Sequence, residues 1–281
     1  MYLKKFYLLD DVLEHNALNI DSRRIYTNYY PFGLFTKKEF EEIVFDNITI
    51  FYGDNGSGKS TLLNIIANKL EAIRKTKIDK GNLFNVYSDN CVFEMIEEPV
   101  EIKIVTSDDV FDNMLNIRAI NTGVNRRKED LTEEFLKYKY NGIDKNNLEE
   151  LKKSVDARRK TLSKYTRDKL VNNNIREHSN GENSLEMWQL EINDNSLYIL
   201  DEPENSLSPQ NQIKLKSFIE DSTRFFNCQF IIATHSPFLL NLKGALIYDL
   251  DYCPVKTKKW YELENVKIQY NFFKENEKDF D

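Results

Sequence analysis

Gly53-Asp54-Asn55-Gly56-Ser57-Gly58-Lys59-Ser60 follows directly on the apolar run Ile48-Thr49-Ile50-Phe51-Tyr52 and leads into Thr61-Leu62-Leu63-Asn64-Ile65-Ile66-Ala67. The three stretches read as a strand, a glycine-rich turn and a helix. A turn spaced G-x-x-x-x-G-K-S is suited to holding polyphosphate. Backbone N–H groups of the loop and of the helix's first turn point at phosphate oxygens, where partial positive charge favours an anion. Lys59 adds a point charge at the β- and γ-phosphates, and the Ser60 hydroxyl is placed to ligate Mg2+. Three of the nine glycines, Gly53, Gly56 and Gly58, fall in this one turn, where side chains would block close approach. Asp54, Asn55, Ser57 and Thr61 complete the expected nucleotide contacts.

Upstream of the turn the chain reads as strands over 2–10, roughly 24–30, and 43–52. Downstream, Cys91–Met95 and Val100–Thr106 are strand-like. Residues from about 126 to 172 are polar, lysine-rich and helix-favouring, with breaks near Asn141-Gly142 and Asn146-Asn147. The α/β pattern returns at Leu197–Leu200 and Phe230–Ala233, short buried strands around a helix near Gln210–Ser222. Strands at 245–250 and 258–263 follow. This pattern predicts one α/β nucleotide-binding core spanning 1–281, with antiparallel strands on its N-terminal side and a helical insertion at about 107–190.

A second buried strand ends in carboxylates: Leu197-Tyr198-Ile199-Leu200-Asp201-Glu202-Pro203. Beside a phosphate loop, an aspartate in this position holds Mg2+ opposite the loop hydroxyl. Glu202, one residue on, is placed to polarise an attacking water. Asp-Glu-Pro after four apolar residues resembles the Walker B segment of ABC-type ATPases, a class that includes Rad50-, SMC- and RecF-like proteins and transporter subunits. Their signature segment resembles Ser179-Asn180-Gly181-Glu182, with Gly181 lying 20 residues before Asp201. Their switch histidine resembles His235, in Ile231-Ile232-Ala233-Thr234-His235-Ser236-Pro237, 33 residues beyond Glu202. Asn205-Ser206-Leu207-Ser208-Pro209 takes the place of the D-loop. Asp201–Pro209 and Phe230–Leu240, with Tyr30-Pro31-Phe32 and Tyr270-Asn271-Phe272-Phe273, are similar to compact stand-alone bacterial ATPases often labelled "AAA family ATPase".

The resemblance implies a mixed central sheet of the ABC-ATPase type and a homodimer packed head to tail around two ATP molecules. Each ATP would lie between the phosphate loop of one copy and Ser179, Gly181 and Glu182 of the other. Hydrolysis at Glu202, with His235 on the γ-phosphate, would then release the dimer. One departure stands out: there is no Gln between Thr61 and Trp188, so the Q-loop glutamine is missing. Ser107 and Asp108 are the candidates for its place. That absence, with Glu182 where transporters carry Gln, counts against a transporter subunit.

Composition sets the outer bounds. A chain of 281 residues, 41% hydrophobic and 30% charged, can build one large core or two modest ones. No run approaches the ~18 apolar residues of a membrane span, and Met1-Tyr2-Leu3-Lys4-Lys5-Phe6 lacks a signal peptide's apolar region. No membrane partner is therefore expected. Cys91, Cys228 and Cys253 are odd in number and far apart, which argues against a disulfide framework or zinc site and fits the cytoplasm. A net charge of −7 opposes uniform coating of nucleic acid. Residues 152–169, however, carry Lys152, Lys153, Arg158, Arg159, Lys160, Lys164, Arg167 and Lys169 against Asp156 and Asp168. That run reads either as a solvated helix face or as a track for a nucleic-acid backbone.

Tyr29 and Tyr30 suit either adenine stacking or the core. His15 and His178 have no ligand-spaced partners. Three functions compete: an ATP-dimerised hydrolytic switch, a nucleotide-binding regulator with little turnover, and the ATPase subunit of a repair or defence complex with a separate effector.

Overall fold

The computed structural model describes residues 1–20, 29–75, 82–140, 148–170, 188, 192–205 and 207–279. The chain divides into two compact units, one of residues 1–110 and 180–281, the other of residues 111–179.

The first unit opens with β1 (Leu3–Tyr7), which ends earlier than the alternation suggests. Asp10 accepts the Leu13 N–H at 2.7 Å and so caps α1 (Asp11–Ile20). The expected strand at 24–30 falls largely outside the described residues; its last two, Tyr29 and Tyr30, lead into a turn. The run 43–52 is two strands rather than one. β2 (Glu42–Val44) and β3 (Ile48–Tyr52) are parted by a turn in which Asp46 N–H donates to Thr49 Oγ1 and Asn47 N–H to Asp46 Oδ1. The polar pair Asp46-Asn47 thus ends one strand and starts the next. The chain continues through α2 (Lys59–Lys69), α3 (Asn82–Asn90), β4 (Val92–Met95) and β5 (Ile102–Thr106).

After the second unit come β6 (Leu197–Asp201), α7 (Pro209–Phe225), β7 (Gln229–Ala233), α8 (Pro237–Leu240), β8 (Leu246–Asp249), β9 (Lys256–Thr257) and α9 (Glu264–Glu275). Ser208-Pro209 and Ser236-Pro237 start α7 and α8 in the same way. The serine hydroxyl accepts a first-turn N–H, and the proline occupies a position where no N–H is needed. The strand expected at 258–263 is instead a 3-10 turn, Trp260–Glu262, in which the Glu262 carboxylate takes the Lys259 N–H at 2.9 Å.

β1, β2 and β4 form an antiparallel sheet in the order β2-β1-β4. The main sheet runs β5-β6-β7-β3-β8-β9, parallel except for β9. β3, β6 and β7 are buried at every position, as strands covered on both faces must be. α2 packs against β5, β6 and β7. Its Leu62, Leu63, Ile65, Ile66 and Ala67 are all buried, so it is a core helix rather than an amphipathic surface one.

In the second unit, α5 (Leu148–Arg159) and α6 (Leu162–Lys169) pack with the far part of α4 (Ser107–Tyr140). The core there is Leu131, Phe135, Tyr138, Ala157 and Tyr165. Within the basic segment, Lys160 is held by Asp156 and Asp168 at 2.9 Å each, and Lys153 and Lys169 face Glu134. Lys152, Arg158, Arg159, Lys164 and Arg167 are exposed. Cys91 and Cys228 are buried free thiols and Cys253 is exposed.

The two sheets meet at Gln229, which is fully buried. Its Oε1 accepts the N–H groups of Tyr2 and Leu3 at 2.8 Å each, and its Nε2 donates to the carbonyls of Leu3 and Asp46 at 2.8 and 3.0 Å. One side chain therefore satisfies four backbone groups that strand pairing leaves over. Gln229→Leu, of similar volume, removes all four bonds, leaving the Asp46 carbonyl with the Thr49 hydroxyl at 3.5 Å, and is expected to cost about 3 kcal/mol or more. Urea unfolding is the measurement; a loss below about 1 kcal/mol would show that Gln229 is not the joint.

Candidate active site

Strand register brings the chemistry-bearing residues to one edge. Thr106 pairs with Asp201, Asp201 with Ala233, Phe51 with Ala233 and Tyr52 with Asp249, so five neighbouring parallel strands end at one level. In open α/β sheets ligands bind beyond these carboxyl ends. The glycine-rich turn leaves β3 here and is tied down from both sides. Asp251, just past β8, accepts the Asp54 N–H on both carboxylate oxygens at 2.9 Å. Lys38 Nζ donates to the carbonyls of Ser57 and Leu250 at 2.7 and 2.5 Å. Burial pulls the Lys38 ammonium down, opposed by Asp251 and Asp249.

Two glycines are required sterically. A Cβ on Gly53 would lie 2.6 Å from Ser57 Oγ and 3.0 Å from Asp251 Oδ1. Gly58, at φ +101°, is the residue before α2 and offers its first turn no side-chain cap, which leaves those N–H groups for an anion.

Lys59 is 4% exposed and curls back onto the loop, its Nζ 2.7 Å from Gly53 O and 3.2 Å from Asp54 O. Burial lowers its pKa, against the pull of Glu202, Asp201, Asp251 and Glu204. Ser60 Oγ donates to Asp201 Oδ1 at 3.1 Å, joining the start of α2 to the end of β6. A hydroxyl and a carboxylate side by side are hard oxygen donors that fit Mg2+.

Glu202 has φ +48°, a left-handed conformation that L-residues rarely adopt. Its N–H donates to Ala233 O at 2.9 Å, its Oε1 is 3.2 Å from His235 Nε2, and its Oε2 accepts from Asn205 Nδ2 at 2.9 Å. The backbone strain is thus held by bonds on both the main chain and the side chain.

A cavity of about 340 Å³ is lined by Tyr30, Leu34, Asn55, Gly56, Lys59 and Glu202, with Gly58, Ser60 and Thr61. Tyr30 is 41% exposed and its hydroxyl bonds Thr61 Oγ1, so the core alternative for Tyr29 and Tyr30 fails: both are exposed. A second cavity, of about 470 Å³, meets Ser60, Asp201 and Glu202 together with Arg74, Ser107 and Asp108. The two candidates for the missing glutamine's place therefore do face the site. Arg74 was not legible in the sequence, because nothing in its flanks marks it. In the fold its Nη2 donates to Asn64 Oδ1 at 3.1 Å, while Asn64 Nδ2 donates to Ser60 O at 2.6 Å. Ser179, Gly181 and Glu182, with His178, lie outside the described residues. His15 is exposed on α1.

The ABC transporter family model matches residues 42–205, more than half of the chain, and an AAA ATPase domain model matches residues 184–240. The chain belongs to the ABC family and is an ATPase: it binds ATP and hydrolyses it. Similar solved structures include an SMC head domain from Thermotoga maritima (14% identity, 89% of this chain and 94% of that one, TM-score 0.39). Another is a metal-chelate-type ABC transporter in an inward-facing conformation (16%, 80% and 78%, TM-score 0.36). A third is an SMC head bound to the C-terminal winged-helix domain of ScpA (16%, 77% and 92%, TM-score 0.39). In sequence, the ribosome-biogenesis GTPase RsgA of Streptococcus agalactiae serotype III (strain NEM316) is 37% identical over 71 residues, 25% of this chain and 23% of that protein. The chain thus matches about a quarter of that relative's length. No helix among the described residues is long and apolar enough to cross a membrane.

Gly53→Ala is expected to weaken ATP binding at least about tenfold, or ~1.4 kcal/mol, because the methyl group collides with Ser57 and Asp251. Titration with a fluorescent ATP analogue checks this, and unchanged affinity would show that the turn has room to relax.

Proposed function

We propose that this chain is an ATP-driven switch in which Mg-dependent hydrolysis is coupled to head-to-tail association of two copies. The observation that carries the reading is the position of Glu202. It is held between His235 and Asn205, one residue beyond the aspartate that bonds the phosphate-loop serine.

In this reading the loop N–H groups of residues 53–61 and the ammonium of Lys59 bind the triphosphate. Lys59 exchanges its two carbonyl partners for phosphate oxygens. Ser60 and Asp201 would hold Mg2+, which when bound neutralises phosphate charge. Glu202 takes a proton from water, the hydroxide oxygen attacks the γ-phosphorus, and the bond to the β–γ bridging oxygen breaks, so that ADP leaves. His235 orients that water and the γ-phosphate through its contact with Glu202. Positioning and electrostatics of this kind are the main contributions a protein makes to phosphoryl transfer. Ser179, Gly181 and Glu182 of a second copy would complete the set of donors around the γ-phosphate.

Glu202→Gln keeps the shape and removes the base. It is expected to retain ATP, lose at least about 100-fold in turnover and run as a dimer on gel filtration with Mg-ATP. Lys59→Ala is expected to remain monomeric under the same conditions. A monomer for Glu202→Gln at micromolar protein and saturating ATP would overturn the coupling to dimerisation. Equal phosphate release from wild type and Lys59→Ala would overturn the assigned site.

A further inference from the structure

His235 is tied to the loop after β6 at two points. Glu204 Oε1 accepts the backbone N–H of His235 at 2.7 Å and that of Ser236 at 3.2 Å. Gln212 Oε1 accepts the Ser236 hydroxyl at 2.6 Å, and its Nε2 donates to Leu207 O at 3.0 Å. Of the two, only Glu204 holds the histidine's own backbone. Its other oxygen, Oε2, is sealed from solvent and makes no hydrogen bond among the described residues. A buried carboxylate with one idle oxygen is an expensive acceptor, since burial penalises its charge. It is accordingly pushed up in pKa, with the Thr234 hydroxyl and the His235 N–H pulling the other way. Two consecutive N–H groups converging on one anionic oxygen give a strong, directional anchor. The same anchored backbone sets the imidazole 3.2 Å from Glu202 Oε1.

We propose that Glu204 is a positioning residue for ATP hydrolysis, fixing the His235 backbone so that the imidazole meets Glu202. This rests on the roles given above to His235 and Glu202. Glu204 bonds the chain, not the nucleotide, so its loss acts on turnover and spares ATP binding. A displacement of ~1 Å at a reacting centre costs on the order of 100-fold in rate.

The test is steady-state ATPase kinetics of Glu204→Ala, Glu204→Asp and Glu204→Gln, each alone and with His235→Ala, beside titration with a fluorescent ATP analogue. Glu204→Ala is expected to lower kcat about 10- to 100-fold while KM and analogue affinity stay within about threefold. Glu204→Asp keeps the charge but falls one methylene short; it is expected to lose kcat in the same sense, which keeps the test open should the alanine variant not fold. Glu204→Gln preserves the accepting oxygen and is expected to restore kcat to within about fivefold of wild type. In the His235→Ala background, Glu204→Ala is expected to add less than about twofold, because its effect passes through the residue already removed.

Wild-type kcat in both Glu204→Ala and Glu204→Asp would overturn the inference, as would Glu204→Gln no better than Glu204→Ala, a loss carried by KM, or an undiminished loss in the His235→Ala background. Each of those leaves the hydrolytic site standing if His235→Ala alone is impaired. Wild-type turnover in His235→Ala would instead overturn the role of His235, and the inference with it.

Discussion

Parallel strand pairing at a shared register is the constraint from which the rest of the structure follows. Because β5, β6, β7, β3 and β8 stop at one level, residues far apart in the chain meet within one shallow layer. Asp201 is the last residue of β6, the glycine-rich turn starts after the last residue of β3, and Thr234-His235 follow the last residue of β7. Side chains alternate along a strand with a period of two. A slip of one residue in β6 against β7 would therefore turn Asp201 away from Ser60 and carry Glu202 past His235.

The layer gathers more negative charge than positive. Asp201, Glu202, Glu204 and Asp251 all act on Lys59. A triphosphate must enter against that charge, which is why the neutral donors matter. Loop N–H groups present positive ends of dipoles without adding a counter-charge that would salt-bridge to the carboxylates. The carboxylates are meanwhile kept from closing over the loop by their own bonds. Asp251 is committed to the Asp54 N–H, Glu202 to His235 and Asn205, and Glu204 to the backbone of residues 235–236.

The parts of this arrangement that were legible in the sequence are those written in continuous local patterns. Three wholly buried strands appear as mainly apolar runs, interrupted by Thr49 in β3 and bounded by Asp201 in β6 and Gln229 in β7, and the G-x-x-x-x-G-K-S turn appears as a single string. The breaks were harder to see. Asp46-Asn47 looks like polar residues within one long strand until its side-chain bonds show it splitting β2 from β3. The capping carboxylate of Glu262 turns an expected strand into a 3-10 turn by the same local competition between side chain and ladder. Arg74 and Glu204 were illegible for a different reason. Arg74 matters through Asn64, 10 residues away, and Glu204 through the backbone of His235, 31 residues away, and neither sits in a run with a period.

β7 shows how the fold and the site depend on each other. Its first residue, Gln229, joins the antiparallel sheet to the parallel one, and its last, Ala233, accepts the N–H of Glu202. The three residues between these ends are buried and paired on both sides. A strand so fixed cannot slide to move His235 toward or away from Glu202. Any such movement is confined to His235-Ser236, beyond the bond from the Thr234 N–H to Phe51 O, where the side chains of Glu204 and Gln212 take over from backbone pairing. The histidine's position is therefore set by Glu204 on the loop that follows Glu202, with Gln212 of α7 holding the neighbouring Ser236. A change in that loop reaches His235 through one carboxylate rather than through the sheet.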